Sequence, residues 1–189
     1  VRHKGSNKVF LIPEGLSIDS EANDWLKKDL LALESNQVQS LVLKNEEGGS
    51  FSINRDSAET DWKSSSEKSD VPDSDKITTL LNRLGMLSFS KLYINDSVSQ
   101  QAEGTDLIET TLFVSLFDSR VYTLNLRKNV ASNENYILSI RMGISMVAFD
   151  NSEAEDSKLR DEMKIYNQQV NGRFYEISSW EGKELLLSE

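Results

Sequence analysis

"VQSLVLKNEEGGSFSINRDSAETDWKSS", residues 38–65, decides the fold of the first half of this chain. Residues 38–45 and 50–56 are two runs in which side chains alternate with the period of two that is typical of β-strands. "EEGG" joins the runs, and its two glycines readily adopt the positive φ angles of a tight connection. "DWKSS" follows as a third strand that carries Trp62. The stretch therefore predicts an antiparallel meander.

Residues on both sides of the meander have the spacing of helices. "NDWLKKDLLALE" (23–34) repeats leucine at helical intervals and predicts a short helix. "VPDSDKITTLLNRLG" (71–85) has Pro72 in its first turn, acidic residues that complement the helix dipole, and Gly85 at a position suited to a C-terminal cap. Its apolar residues form one stripe, which is expected to pack on a sheet, and a strand is predicted at 89–95.

The second half of the chain repeats this order of elements. Residues 110–117, 120–127 and 135–142 are predicted strands, and "SMVAF" is a candidate for an additional one. A helix is predicted at 150–172, where Gly172 closes it, and 173–180 is the trailing strand. Each half is thus predicted to contain three antiparallel strands, a helix and one more strand.

The predicted fold class is α+β, with helices packed on an antiparallel sheet. We expect residues 1–189 to form a single domain of two similar halves, or pseudo-repeats, at about 9–95 and 107–180. The polar, aperiodic residues 96–106 are the predicted linker, and 181–189 are the predicted tail.

Composition excludes several classes of function. The formal net charge is -10, and no cluster of Lys and Arg is present, which argues against nucleic acid as a partner. Cysteine is absent, so disulfides, thiolate nucleophiles and cysteine-bound metals are impossible. No apolar run reaches the length of a membrane span, and the chain begins at Val1 rather than Met. A membrane contact is expected only through an upstream N-terminal anchor that this chain does not contain.

Two groups of acidic residues were considered as cation sites. Asp56, Glu59 and Asp61 lack the spacing of a calcium loop, and a turn stabilised by their side chains explains them better. The second group is placed at the start of the last helix, where negative charge interacts favourably with free N–H groups. This group consists of Asp150, Glu153, Glu155 and Asp156. No metal site is therefore predicted.

No catalytic constellation is recognisable. His3 is the only histidine and lies at the terminus, which excludes catalysis by an imidazole base or a catalytic triad. Neither phosphate-binding glycine motif occurs, and two cooperating carboxylates cannot be singled out among 31 acidic residues. We therefore predict that the protein is not an enzyme and needs no cofactor.

The aromatic residues offer the other candidate site. Trp25, Trp62 and Trp180 could contact a ligand or partner, or they could pack the sheet and its helices. Packing is the commoner role of such residues.

Several short motifs resemble a known family. They are "DWLKKDLLAL", then "VQSLVL", then Phe51, Ile53 and Arg55 followed by Trp62, and finally "GRFYEISSW". They resemble the bacterial domain of unknown function that is often encoded beside gliding-motility-type ABC transporter genes, and the resemblance covers roughly residues 9–180. The family's "GL-x-x-P" turn is missing, and "GTDLIETTLF" stands in its place.

The resemblance implies a periplasmic or otherwise extracytoplasmic domain, tethered to the inner membrane by one N-terminal helix and accessory to an export complex. It implies no catalytic residues. The expected function is a non-enzymatic interaction module of the envelope that binds a transporter subunit or another envelope protein. The alternative is a glycan- or small-ligand-binding domain with an aromatic cleft between the halves.

Overall fold

One antiparallel sheet organises the part of the chain that the computed structural model describes. That part comprises residues 26–31, 33–45, 50–65, 73–94, 109–128, 135–145 and 153–186. Its strands are β1 (Val38–Asn45), β2 (Phe51–Asn54), β3 (Lys63–Ser64), β4 (Lys91–Ile94), β5 (Glu109–Leu116), β6 (Arg120–Lys128), β7 (Tyr136–Ile144) and β8 (Arg173–Ile177). They form one eight-stranded sheet in the order β3-β2-β1-β5-β6-β7-β8-β4, and every neighbouring pair is antiparallel.

Three helices accompany this sheet: α1 (Ser74–Gly85), α2 (Glu153–Val170) and α3 (Ser179–Leu185). A short 3-10 turn, Ser35–Gln37, leads into β1. The combination of helices with an antiparallel sheet confirms the predicted α+β class.

The core lies on one face of the sheet. Cross-strand partners Leu41, Val114 and Tyr122 are all buried there, as are Leu112 and Leu124. The apolar stripe of α1 and Leu185 of α3 belong to the same core, and Met163 and Tyr166 of α2 pack against it. The helices therefore cover this face, and burial of apolar surface holds them on it.

Both halves contain the predicted order of elements, but the sheet does not confirm two pseudo-repeats. β8 pairs with β7 of its own half, whereas β4 leaves the first meander and pairs with β8. This pairing places the buried ring of Phe89, just before β4, 5.2 Å from that of Tyr175. The apolar residues around β4 thus find their packing partners in the second half of the chain.

The predicted helix at 23–34 is wrong for the residues that the structure describes. Residues 26–31, 33 and 34 are not helical, and Asp29 forms an isolated antiparallel bridge with Ser88. The N–H of Leu30 donates to the carbonyl of Leu87 at 2.9 Å. Pairing with this distant segment outweighs the local helical preference. Residues 23–25 and Ala32 lie outside the described residues.

The predicted helix at 71–85 is confirmed as α1 over residues 74–85; residues 71 and 72, with Pro72, lie outside the described part of the chain. Asp73 caps it, and its carboxylate accepts a hydrogen bond from the N–H of Asp75 at 3.1 Å. Gly85 does not act as the left-handed cap; it is the last helical residue and Met86 follows as the C-cap. A Cβ at Gly85 would lie 2.6 Å from the carbonyl oxygen of Leu33, so close packing requires glycine here. In contrast, Gly172 has a φ of 68° after α2, as a helix-ending glycine should.

Part of the predicted tail is structured. The trailing strand ends at Ile177 rather than at residue 180, and residues 181–185 belong to α3. Ser178 and Glu181 form a capping box at its start, a signal that "SSWE" already carries in the sequence. Leu185 is fully buried and anchors the helix in the core. The predicted linker at 96–106 and residues 146–149 of "SMVAF" lie outside the described residues.

Candidate functional site

The structure places the two described candidate tryptophans in different surroundings. Trp62 is half-buried, and the guanidinium of Arg55 lies 4.6 Å from its ring centroid. Trp180 is 58% exposed in α3, with the guanidinium of Arg83 3.7 Å from its ring. Neither ring lines the cavities described below. Trp25 lies outside the described residues.

Arg55 explains why Trp62 is held where it is. Its guanidinium donates to the carbonyls of Val38 at 2.8 Å and Ala58 at 2.9 Å, and also to the carbonyl of Ser35. Desolvation lowers the pKa of Arg55, and the nearby charge of Glu59 opposes this effect. Arg55, packed against Trp62, therefore ties the turn after β2 to the start of β1, which is a structural role.

The acidic stretch after β2 forms the predicted turn, but Thr60 rather than a carboxylate makes the side-chain bonds to its backbone. The hydroxyl of Thr60 accepts hydrogen bonds from the N–H groups of Asp56 and Ser57 at 3.1 and 3.0 Å. Lys63 pairs with Asp56 at 2.7 Å. Within the described ranges, no group of three or more potential metal-binding side chains is present.

In the second acidic group, Asp156 is part of α2, which begins at Glu153. Asp150 and the side chains of Glu153 and Glu155 lie outside the described part of the chain. The prediction that these carboxylates complement the helix dipole therefore stays a prediction.

The sheet face opposite the helices, here called the open face, is partly accessible to solvent. Alternation along the strands directs to it the side chains that do not face the core. Its residues are partly or fully exposed, except for Ile137 and Glu176, which are buried. Along β1, β5, β6, β7, β8 and β4 they include Val42, Lys44, Thr111, Phe113, Thr123, Asn125, Arg127, Ser139, Arg141, Phe174 and Tyr93.

Cations and aromatic rings alternate on the open face. The ammonium of Lys44 lies 5.3 Å from the ring of Phe113. The guanidinium of Arg127 lies 5.6 Å from the ring of Phe174. At the far edge, the ammonium of Lys91 lies 4.9 Å from the ring of Tyr93. Such pairs hold the charged groups over an otherwise flat surface.

Glu176 is a buried carboxylate at this edge of the open face. It accepts a hydrogen bond from the hydroxyl of Tyr93 at 2.7 Å and another from the amide of Asn135 at 3.1 Å. Burial raises the pKa of Tyr93 to about 12, and the hydrogen bond to Glu176 adds to this effect. These bonds join β4, β8 and the residue before β7 at one point.

Alkaline titration should reveal this contact. The folded protein favours the neutral phenol of Tyr93, so its stabilising contribution is complete below the ordinary tyrosine pKa of about 10. It is lost as the pH rises from there towards about 12. We expect the free energy of unfolding of Tyr93→Phe to fall less steeply between pH 10 and 12 than that of the unmodified chain. Urea denaturation followed by circular dichroism measures both, and equal slopes would contradict the assignment.

A gap opens where β8 separates from β7, and we call it the β7 notch. β6 pairs with β7 along its whole length, from Tyr136 to Ile144, whereas β8 pairs only with residues 136–138. Gly172, with its positive φ, turns the chain away from β7 just before β8 begins. On the side away from β6, residues 139–144 of β7 therefore have no partner strand among the described residues.

α2 closes part of the β7 notch through Asn167. Its side-chain carbonyl accepts from the N–H of Met142 at 2.9 Å, and its amide donates to the carbonyl of Met142 at 2.8 Å. An asparagine amide presents the same donor and acceptor as a backbone peptide group. Asn167 thus takes the place of a neighbouring strand at this residue.

Two cavities flank the β7 notch. The larger has a volume of about 600 Å³, and its lining includes Ser139, Arg141, Asn167, Arg173 and Phe174. The smaller, of about 200 Å³, lies on the helix side and is lined in part by the apolar residues Leu30, Phe89, Leu92 and Tyr175. Both cavities reach Ile140, Val170 and Arg173, so the gap passes from the open face to the helix side.

Tyr166 also lines the smaller cavity. Its hydroxyl is buried without a hydrogen-bond partner among the described residues, and burial raises its pKa. Its ring makes an edge contact with Tyr122, with centroids 5.6 Å apart. Tyr166 therefore packs chiefly as an aromatic side chain.

The sequence did not reveal the residues of the β7 notch. Arg141, Asn167 and Arg173 are separated along the chain and come together only because α2 returns its C-terminal end to the edge of β7. The one local signal is Gly172, which predicts a sharp turn between the helix and the strand.

Comparison with protein families identifies the chain. A family model described as Domain of unknown function (DUF4340) matches residues 1–109. The chain belongs to this family. The match extends to Glu109, the first residue of β5, so it includes the Arg55 and Trp62 cluster. Comparison with curated proteins and with solved structures gave no match. Among the described residues, no helix has the length and apolar character needed to cross a membrane.

Proposed function

We propose that this DUF4340 domain is a non-enzymatic interaction module of the bacterial envelope and that the open face is its binding surface. The observation that carries the proposal is the asymmetry of the sheet. Helices bury one face, whereas the other presents partly exposed polar side chains with cation and aromatic pairs. A broad surface of this kind suits a protein partner better than a small substrate.

The charge of the open face supports an acidic partner. The chain as a whole has a formal net charge of -10. Yet Lys44, Lys91, Arg127 and Arg141 all face this side, and the described carboxylate among them, Glu176, is buried. A cationic patch on an acidic protein orients and accelerates the approach of a negatively charged surface.

The proposed partner is a subunit of an ABC-type export complex or another envelope protein. The resemblance of the motifs to the transporter-associated family supports this choice, and so does the absence of a recognisable catalytic constellation from the sequence. In this proposal the domain lies in the periplasm, or otherwise outside the cytoplasm, on an N-terminal membrane tether.

Site-specific photo-crosslinking in the native host tests the proposal. A photoreactive amino acid at Thr123, on the open face, is expected to capture a transporter or envelope subunit, identified by mass spectrometry. The matched control is the same amino acid at Thr79, which is exposed on α1. Capture of the same subunits from both positions, or of cytoplasmic proteins alone, would contradict the proposal.

The alternative function is glycan or small-ligand binding in an aromatic cleft, and one cavity supports it. The cavity of about 600 Å³ contains amide side chains suited to hydroxyl groups, and Phe174 offers an aromatic surface. However, Trp62 and Trp180 pack against different arginines, away from this cavity. A thermal-shift screen with neutral and acidic sugars distinguishes the two functions, because the interaction module should show no stabilisation.

A further inference from the structure

The β7 notch has the backbone geometry of an incomplete sheet. Met142 directs its N–H and carbonyl away from β6, since both bond to Asn167. Backbone groups alternate in direction along an antiparallel strand, so Ile140 and Ile144 direct theirs to the same side. β8 begins at Arg173, just after Gly172 turns the chain away from β7. A segment lying along residues 139–144 would extend the line of β8 beyond this N-terminal end.

We propose that the β7 notch binds an extended acidic segment of the partner protein by strand addition. This inference rests on the proposed function and names the mode of recognition. Peptides that add a strand to an open sheet edge gain affinity from backbone hydrogen bonds and specificity from alternate side chains. The added strand displaces the amide of Asn167 from Met142.

Charge complementarity defines one face of the bound segment. Arg141 is exposed on the open face beside the notch, whereas Arg173, exposed where β8 begins, shares the helix-side face of Tyr175. Lys164 also lines the larger cavity, although Asp161 pairs with it at 3.2 Å. Carboxylates on the open-face side of the bound strand would therefore meet the guanidinium of Arg141, which binds a carboxylate in a planar, two-point geometry.

The opposite face of the segment meets a different environment. Side chains that point to the helix side would face the smaller cavity of about 200 Å³, which Leu30, Phe89 and Leu92 help to line. This volume admits an aliphatic side chain. The fitting ligand is thus a strand in which acidic and aliphatic residues alternate.

Fluorescence anisotropy with a labelled eight-residue peptide of alternating glutamate and valine tests the inference on the complete 189-residue chain. Binding is expected, and a peptide of alternating lysine and valine should bind at least about tenfold more weakly. The Glu-Val peptide with N-methyl groups on alternate residues cannot form the ladder and should also lose about tenfold or more. Absence of binding, or equal binding of the N-methylated peptide, would overturn strand addition.

Substitutions in the protein test whether the peptide binds at the β7 notch. Arg141→Glu should weaken binding about tenfold, whereas Lys158→Glu on the exposed side of α2 should leave it unchanged. Asn167→Ala should strengthen binding severalfold, because the peptide no longer competes with its amide; unchanged or weaker binding would overturn the inference. Amide hydrogen exchange provides a second readout, and Ile140 and Ile144 should become protected when the peptide is present.

These measurements are independent of the crosslinking experiment. If the peptide does not bind but Thr123 captures a transporter subunit, the β7 notch is ruled out as a binding site and the open face is retained as the binding surface. If the peptide binds but no such subunit is captured, the proposed partner is ruled out, whereas the β7 notch is supported as a site of strand addition.

Discussion

Replacing Arg55 with alanine is expected to lower the free energy of unfolding by about 3 kcal/mol or more. The change removes a donor to three backbone carbonyls; that of Val38 is buried, and a buried acceptor left unpaired costs about 1–3 kcal/mol, whereas the bonds to Ala58 and Ser35 are part-buried and contribute less. It also removes the cation between the rings of Trp62 and Phe117, which lie 4.6 and 5.8 Å from it. Urea denaturation followed by circular dichroism measures the loss.

Two further variants test the cause of this loss. Arg55→Lys keeps the positive charge but lacks the planar fork that reaches three carbonyls, so its stability should lie between those of alanine and arginine. Arg141→Ala removes an exposed arginine from the sheet and should change stability by no more than about 0.5 kcal/mol. If Arg55→Ala resembled Arg141→Ala, Arg55 would not be the link between β1 and the turn after β2.

Gly85→Ala is expected to destabilise the protein by about 2 kcal/mol, although alanine is favoured over glycine within a helix by about 1 kcal/mol. The added Cβ would lie 2.6 Å from the carbonyl oxygen of Leu33, and neither backbone can move without disturbing the core. The same urea denaturation measures this loss.

Gly143→Ala is the matched control for Gly85→Ala, because its Cβ would also face a carbonyl oxygen, that of Val121, but at an ordinary contact distance of 3.8 Å. Gly143→Ala should leave stability unchanged or raise it by up to about 1 kcal/mol. Equal effects of the two substitutions would show that the approach of Leu33 to α1 is not a tight contact.

The structure assigns different roles to residues that the resemblance groups together. Phe51, Ile53, Arg55 and Trp62 lie in the matched part of the chain and stabilise the meander. The strand edge of the β7 notch, residues 139–144, lies beyond the matched part, whereas Leu30, Phe89 and Leu92, which help to line its smaller cavity, lie within it. The proposed recognition surface therefore combines residues from both parts of the chain.

Local physical chemistry made much of the fold predictable. Alternation along β1 and β2, the apolar stripe of α1 and the glycine that ends α2 depend on interactions between residues close in sequence. The turn after β2 belongs to this class, because Thr60 bonds to the backbone only three and four residues away. The capping box of α3 is equally local, although the sequence predicted a strand across residues 173–180.

Long-range pairing decided what the sequence could not. Residues 26–31 have helical spacing but pair with Leu87 and Ser88, and β4 joins β8 rather than the first meander. The sequence by itself determined the α+β class, the positions of most strands, and helices α1 and α2. Only the tertiary structure decided the order of the strands, the cationic open face and the β7 notch. These features arise from contacts between residues far apart in the chain, and a local sequence pattern does not reveal the energies of such contacts.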